Sequence, residues 1–296
     1  MNSDERDVLF EEVRELRRDK PEDRENTAHV LKERREVGPA IDAAEAKREM
    51  FTRTRRSFLI GGTAALAGFF GWRWMPDETK YKLLRGALEF NERVSQFFYR
   101  PARLAPEFPR ERISQRRVNG MAGLEKELDP ATWTLSVGGL HGRDDDATLT
   151  LDDIKALPRV EMITELKCIE GWSVIVHWAG ARFSDFAASY LPKTVDGSTP
   201  DVANAPEKLV PYVSITTPDN GYFVGWDMPS ILHPQTLLAY EMNGEPLLPE
   251  HGAPLRLASP TKYGIKLIKR IGRIEFTAER PRDYWAESGY DWYSGH

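Results

Sequence analysis

The sequence predicts a mixed α+β domain over residues 76–296, on three observations. Short runs rich in β-branched and aromatic residues recur between turn signals from Trp133 to Thr277. Few stretches in that span carry helical spacing, so strands and helices alternate irregularly, not in a βα repeat. Hydrophobic residues make up 41% of the chain, enough for a core of this size without disulfide staples.

The elements follow in order. Residues 1–53 are dense in charge of both signs and too poor in apolar residues to build a core, which makes them a charged cytoplasmic or disordered extension. At Thr54-Arg55-Arg56-Ser57-Phe58-Leu59 the character changes, and an apolar run rich in glycine and alanine continues to Trp72. Adjacent arginines, a hydrophobic pair and a short apolar stretch have the layout of a twin-arginine export signal, so 54–75 is read as a signal or anchor. The run at 58–72 is shorter than the ~20 residues of an unaided membrane span, although Trp72 and Trp74 would serve as interfacial anchors through 58–74. The small-x-small string Ala65-Leu66-Ala67 falls inside the run, which leaves cleavage open. Everything after Met75 is expected outside the cytoplasm, in the periplasm or held at the membrane by an uncleaved signal.

Residues 80–100 have helical spacing in Leu83, Leu84, Ala87, Leu88, Val94 and Phe97, followed by loop signals at Pro101, Pro106 and Pro109. Strands are expected at 133–137, before the Gly138-Gly139 turn, and at 210–216, 255–257 and 271–276. Helices are expected around 151–156, 183–190 and 234–240.

A net charge of -5 without a long basic run removes the electrostatic footprint of a nucleic-acid binder. Cys168 is the only cysteine, so no intramolecular disulfide exists, and the residue is either a buried, inert side chain or a thiol held for chemistry. It ends an apolar strand that runs into Gly171 and Trp172. Lys167 beside it would favour the thiolate, the form a soft metal needs. His141, His177, His233 and His251 show no paired metal spacing, so most ligands of any metal here would come from a cofactor. In the stretch 251–269, a Gly-Pro turn presents His251 and Arg256, and Lys262, Lys266 and Lys269 follow at intervals of four and three. Such donors suit an anionic, phosphate-bearing ligand or, equally, a solvated basic face. Trp172, Trp178, Tyr222, Phe223 and Trp226 are candidates for a substrate funnel, although aromatics at that density serve a core more often. Asp219, Asn220 and Asp227 read as turn residues.

Four strings taken together, K-C-I-E-G-W-S, L-H-P-Q-T-L-L-A-Y-E-M-N-G, H-G-A-P-L-R-L and K-Y-G-I-K-L-I-K, resemble the sulfite-oxidase superfamily of molybdopterin-dependent oxidoreductases. The likeness is greatest to its exported bacterial branch, which includes periplasmic methionine sulfoxide reductase, and it runs over residues 95–280. It implies a sulfite-oxidase-type molybdopterin-binding domain. Cys168 would be the protein thiolate ligand of the molybdenum, and Arg256 with Leu267, Ile268 and Lys269 would contact the pterin phosphate. His251 and Thr217 would be further cofactor contacts, and Gln96, Phe98 and Tyr99 would match the loop that wraps the pterin. His251 stands where the exported reductase has asparagine and sulfite oxidases have histidine. An Mo-molybdopterin enzyme also explains folded export, since the buried cofactor is inserted before translocation.

The resemblance implies oxygen-atom transfer, with electrons exchanged one at a time with a separate partner, a membrane b-type haem protein or a cytochrome c. Reduction of protein methionine sulfoxide is the favoured activity and sulfite oxidation the alternative. His251 leans towards the second, and the lack of room for a dimerisation domain after Phe276 leans towards the first. A non-catalytic binding protein on the same fold would be expected to have lost Cys168 or the basic residues, and both are present.

Overall fold

The computed structural model describes residues 69–118, 120–126 and 128–295. Contacts divide the chain into units 1–76 and 77–296. Of the first unit, residues 69–76 are described, with 69–74 helical. The twin-arginine string and most of the apolar run lie outside the described residues. Among the described residues, no helix is long and apolar enough to cross a membrane.

The second unit opens with helix α1 (Asp77–Phe98). Two five-stranded sheets follow, built from β1 (Leu135–Gly138), β2 (Ala147–Leu149), β3 (Arg159–Lys167), β4 (Ser173–Arg182), β5 (Tyr212–Thr216), β6 (Phe223–Asp227), β7 (Leu237–Met242), β8 (Glu245–Pro246), β9 (Arg256–Ala258) and β10 (Arg273–Thr277). One sheet has the order β2-β1-β10-β5-β6, with β1 and β10 parallel; the other runs β3-β4-β7-β8, and β9 also pairs with β7. Short helices α2 (Leu151–Lys155), α3 (Phe183–Tyr190), α4 (Met228–Ile231) and α5 (Tyr284–Glu287) connect or follow the strands.

Burial explains the strands. On β3, Met162, Thr164 and Leu166 point inward and alternate with less buried neighbours, the period of a half-buried strand. Central β4 is buried at nearly every position between β3 and β7. Its ladder with β7 shifts register at Ala179/Gly180, and a Cβ on Gly180 would stand 2.1 Å from the Leu238 carbonyl oxygen. Glycine is therefore required by the approach of the two backbones. Thr150 starts α2 with a reciprocal capping box to Asp153.

One expectation needs correction. The helix expected around 234–240 is strand β7, whose Leu237, Leu238, Ala239 and Tyr240 are all buried. A continuous short apolar run fits a doubly covered strand as well as a helix, and pairing with β4 and β9 decides it. Helix α1 forms as expected, but Leu83, Leu84, Phe90 and Phe97 are exposed, while Glu92 is buried against Arg280 at 2.7 Å.

Candidate functional site: a cysteine cavity beside a buried cationic cluster

Cys168 follows the last residue of β3 and is held by a tight turn. Its amide donates to the Trp172 carbonyl at 2.9 Å, and Gly171 N donates back to the Cys168 carbonyl at 3.1 Å. The residue is 9% exposed and lines a cavity of about 170 Å³ together with Glu170, Tyr222, Leu267, Lys269, Trp285 and Tyr290. Burial pushes the thiol pKa up, and the Glu170 carboxylate adds to that effect. The expectation that Lys167 favours the thiolate is therefore corrected. Lys167 lies 3.9 Å from Glu165 and lines a different cavity.

Arg256, Lys269 and His251 form a buried cluster of basic residues. Arg256 is 1% exposed, and its guanidinium donates to the carbonyls of His251 at 2.9 Å and Leu267 at 3.3 Å, with Trp178 against its face. Among the described residues no carboxylate forms an ion pair with it. Desolvation lowers its pKa to about 10. Lys269 donates to the carbonyls of Gly120 and Glu250, and its pKa is pushed down to about 7 by burial and then by the charge of Arg256. Burial and then the charge of Arg256 also lower the His251 imidazole; Glu250 opposes them, and Lys269 adds a smaller lowering. A desolvated cluster of positive groups that depress one another is what an anion relieves. These features fit a buried phosphate-bearing cofactor.

The backbone makes the cluster possible. Gly252 follows the turn Pro249–His251 with φ +98°, and a Cβ there would meet Lys269 Cβ at 2.7 Å. Lys269 would thus be displaced by any side chain at 252. Leu267 and Ile268 are buried, and the Ile268 carbonyl accepts from Leu257 N at 3.0 Å, tying the segment to β9.

The other two lysines are structural, which corrects the reading of all three as anion donors. Lys262 Nζ lies 3.3 Å from Asp227 and donates to the Tyr293 carbonyl. Lys266 Nζ donates to Asp283 at 2.6 Å, with both side chains 1% exposed, and to the Trp292 carbonyl. Residues Gly264–Lys266 form a 3-10 turn, so spacing by four and three does not align the ammonium groups on one face.

Thr217 is buried, donates to Asp219 at 2.6 Å and accepts from Tyr222 N at 3.1 Å, so it holds the loop that places Tyr222 in the wall. Gln96 donates to Glu92 within α1, and Phe98 is exposed. Phe98 and Tyr99 line a second cavity of about 580 Å³ with Lys167 and Arg100, separate from the lining around Cys168. Of the expected site residues, the structure thus brings Cys168, Leu267 and Lys269 to one cavity, places Arg256, His251 and Ile268 next to it, and leaves Gln96, Phe98 and Tyr99 apart. Trp178 and Trp226 belong to the core, whereas Tyr222 reaches the cavity. Sequence reasoning missed Glu170, Trp285 and Tyr290 as lining residues; Glu170 was signalled by its place two residues after Cys168, and the other two only by the aromatic-rich end of the chain. Among the described residues no three His, Cys, Asp or Glu side chains are grouped to hold a metal.

The depressed lysine has a testable consequence. Between pH 7 and about 10, Lys269 is neutral in the folded apoprotein and protonated in the unfolded chain. The unfolded state then binds more protons, so apoprotein stability is expected to rise with pH across this window. Denaturant midpoints at pH 7 and 9.5 check it; Lys262, also pushed down to about 7 by burial, contributes to the same rise, so Lys269→Met should remove part of it and leave the remainder.

Comparison with known proteins agrees with this chemistry. Residues 122–285 match the family described as oxidoreductase molybdopterin binding domain. A protein of Azospira oryzae, named as a candidate protein-methionine-sulfoxide reductase subunit, YedZ1, is 32% identical over 91% of this chain and 95% of its own length. The protein-methionine-sulfoxide reductase catalytic subunit MsrP of Campylobacter jejuni is 34% identical over 58% of this chain and 59% of its own. Relative to the MsrP proteins, the match spans about half of their length. Among solved structures, the sulfane dehydrogenase SoxCD of Paracoccus pantotrophus aligns with a TM-score of 0.45 and 20% identity, over 61% of this chain and 46% of that one. This chain belongs to the oxidoreductase molybdopterin binding domain family, within the sulfite-oxidase superfamily, and is a molybdopterin-dependent oxidoreductase.

Proposed function

We propose that this chain is the catalytic subunit of an S-oxide reductase that restores methionine from methionine sulfoxide in proteins of the cell envelope. The observation that carries the reading is a single cavity in which Cys168 and Lys269 meet an aromatic wall. Support comes also from the names of relatives that match much of the chain. In this reading Cys168 is the protein ligand of the molybdenum. Arg256, Lys269 and the 267–269 backbone hold the pterin phosphate, with His251 and Thr217 as flanking contacts and Gln96, Phe98 and Tyr99 as the outer edge. When bound, the cofactor supplies two-electron oxygen-atom transfer at a sulfur lone pair. One S-oxide, two electrons and two protons give a thioether and water, reversing the oxidation that makes an apolar side chain polar.

The chain's own groups orient the substrate and exclude water. Leu267 and Tyr222 present apolar surface, and Tyr222 is fixed because its hydroxyl donates to the Ile265 carbonyl at 2.6 Å. Electrons come from a separate partner, a membrane b-type haem protein or a cytochrome c. The protein works in the periplasm after twin-arginine export, with 54–75 retained as an anchor or removed.

Sulfite oxidation would bring a dianion beside the Glu170 carboxylate, a like-charge contact that the neutral S-oxide avoids. The holoenzyme is expected to oxidise reduced viologen with methionine sulfoxide as acceptor. Turnover of sulfite with none of any S-oxide would replace this reading by the dehydrogenase.

A further inference from the structure

We infer that the C-terminal turn 283–290 is an aromatic lip on the Cys168 cavity, and that Trp285 and Tyr290 select a methionine sulfoxide side chain over smaller S-oxides. The inference rests on the reductase reading. Tyr290 lies beyond the 122–285 family match.

The lip is built rather than incidental. Asp283 caps α5, its Oδ1 accepting from Ala286 N at 3.1 Å, and Gly289 at φ +93° ends the turn. Ser288 N and Tyr290 N both donate to the Trp285 carbonyl at 3.0 Å, folding the chain back. The Trp285 and Tyr290 rings meet edge to face with centroids 5.1 Å apart. The other oxygen of Asp283 accepts from Lys266 at 2.6 Å and from Gly225 N at 3.2 Å. Lys266 belongs to the segment that supplies Ile265, Leu267 and Lys269 to the cavity, so the buried ion pair ties the lip to that segment.

Tyr290 is 43% exposed and still lines the cavity, which places it at the rim. Two aromatic rings there offer the favourable surface for a sulfur-bearing, unbranched side chain that enters from a polypeptide outside. Dimethyl sulfoxide lacks the unbranched chain that would lie along the two rings. The rings therefore add binding for the methionine sulfoxide chain alone.

The test compares kcat and KM of molybdenum-loaded wild type and Trp285→Ala on dimethyl sulfoxide and on a short peptide carrying methionine sulfoxide. KM for the peptide is expected to rise about ten-fold with kcat held within about two-fold, while kcat/KM for dimethyl sulfoxide falls several-fold less than that for the peptide. Trp285→Phe should recover most of the loss. Tyr290→Ala, at a more exposed position, provides the same comparison if Trp285→Ala does not fold. Unchanged peptide kinetics, or a parallel loss on both substrates, would overturn the lip while leaving the reductase standing. A wild type inactive on every S-oxide would overturn both.

Discussion

Cys168→Ala is expected to reduce turnover by on the order of a thousandfold or more, a barrier increase of at least ~4 kcal/mol at about 1.4 kcal/mol per decade. The side chain sits against the cavity lining, and the turn around it is closed by backbone bonds that alanine preserves. The fold should therefore survive, and loss of a small buried group should cost no more than ~1–2 kcal/mol of stability. In the proposed site the loss is chemical, since the soft thiolate is the one protein ligand assigned to the metal. Steady-state kinetics with reduced viologen, beside a circular dichroism spectrum matching wild type, make the check. Activity within about ten-fold of wild type would detach Cys168 from the metal.

Lys266→Met is expected to cost about 3–5 kcal/mol in stability, because it leaves Asp283 buried with its charge uncompensated. Asp283 also caps α5 and accepts from Gly225 N, so the damage should extend to the lip. Adding Asp283→Asn should recover part of the loss, since an amide keeps an oxygen for the cap and removes the stranded charge. Denaturant unfolding of the apoproteins measures both. If Lys266→Met cost less than about 1 kcal/mol yet abolished cofactor retention, Lys266 would be a phosphate ligand and the assignment to Asp283 wrong.

Much of this site was legible in sequence because its chemistry is local. The Cys168 turn and the segments 251–256 and 267–269 are short strings whose backbone and side chains act together, and the structure brings them to one place. What stayed hidden depends on contacts distant in sequence. Lys262 and Lys266 look like Lys269 until Asp227 and Asp283 arrive from other elements. Trp285 and Tyr290 carry no periodic signal and reach the cavity through an ion pair across the fold. Strand β7 was misread because four consecutive buried apolar residues do not distinguish a strand from a helix. The helical period of α1 was plain, but periodicity does not say which face meets the domain, and the face that packs uses Glu92 and Arg85.

The most direct test of the central claim is the molybdenum content of the folded protein from a cofactor-producing host, with its Mo(V) electron paramagnetic resonance spectrum, for wild type and Cys168→Ala. Near-stoichiometric molybdenum in wild type, with a spectrum altered or abolished by the substitution, is the result expected. Folded wild type without molybdenum, or a spectrum indifferent to the loss of the thiol, would contradict Cys168 as the metal's protein ligand.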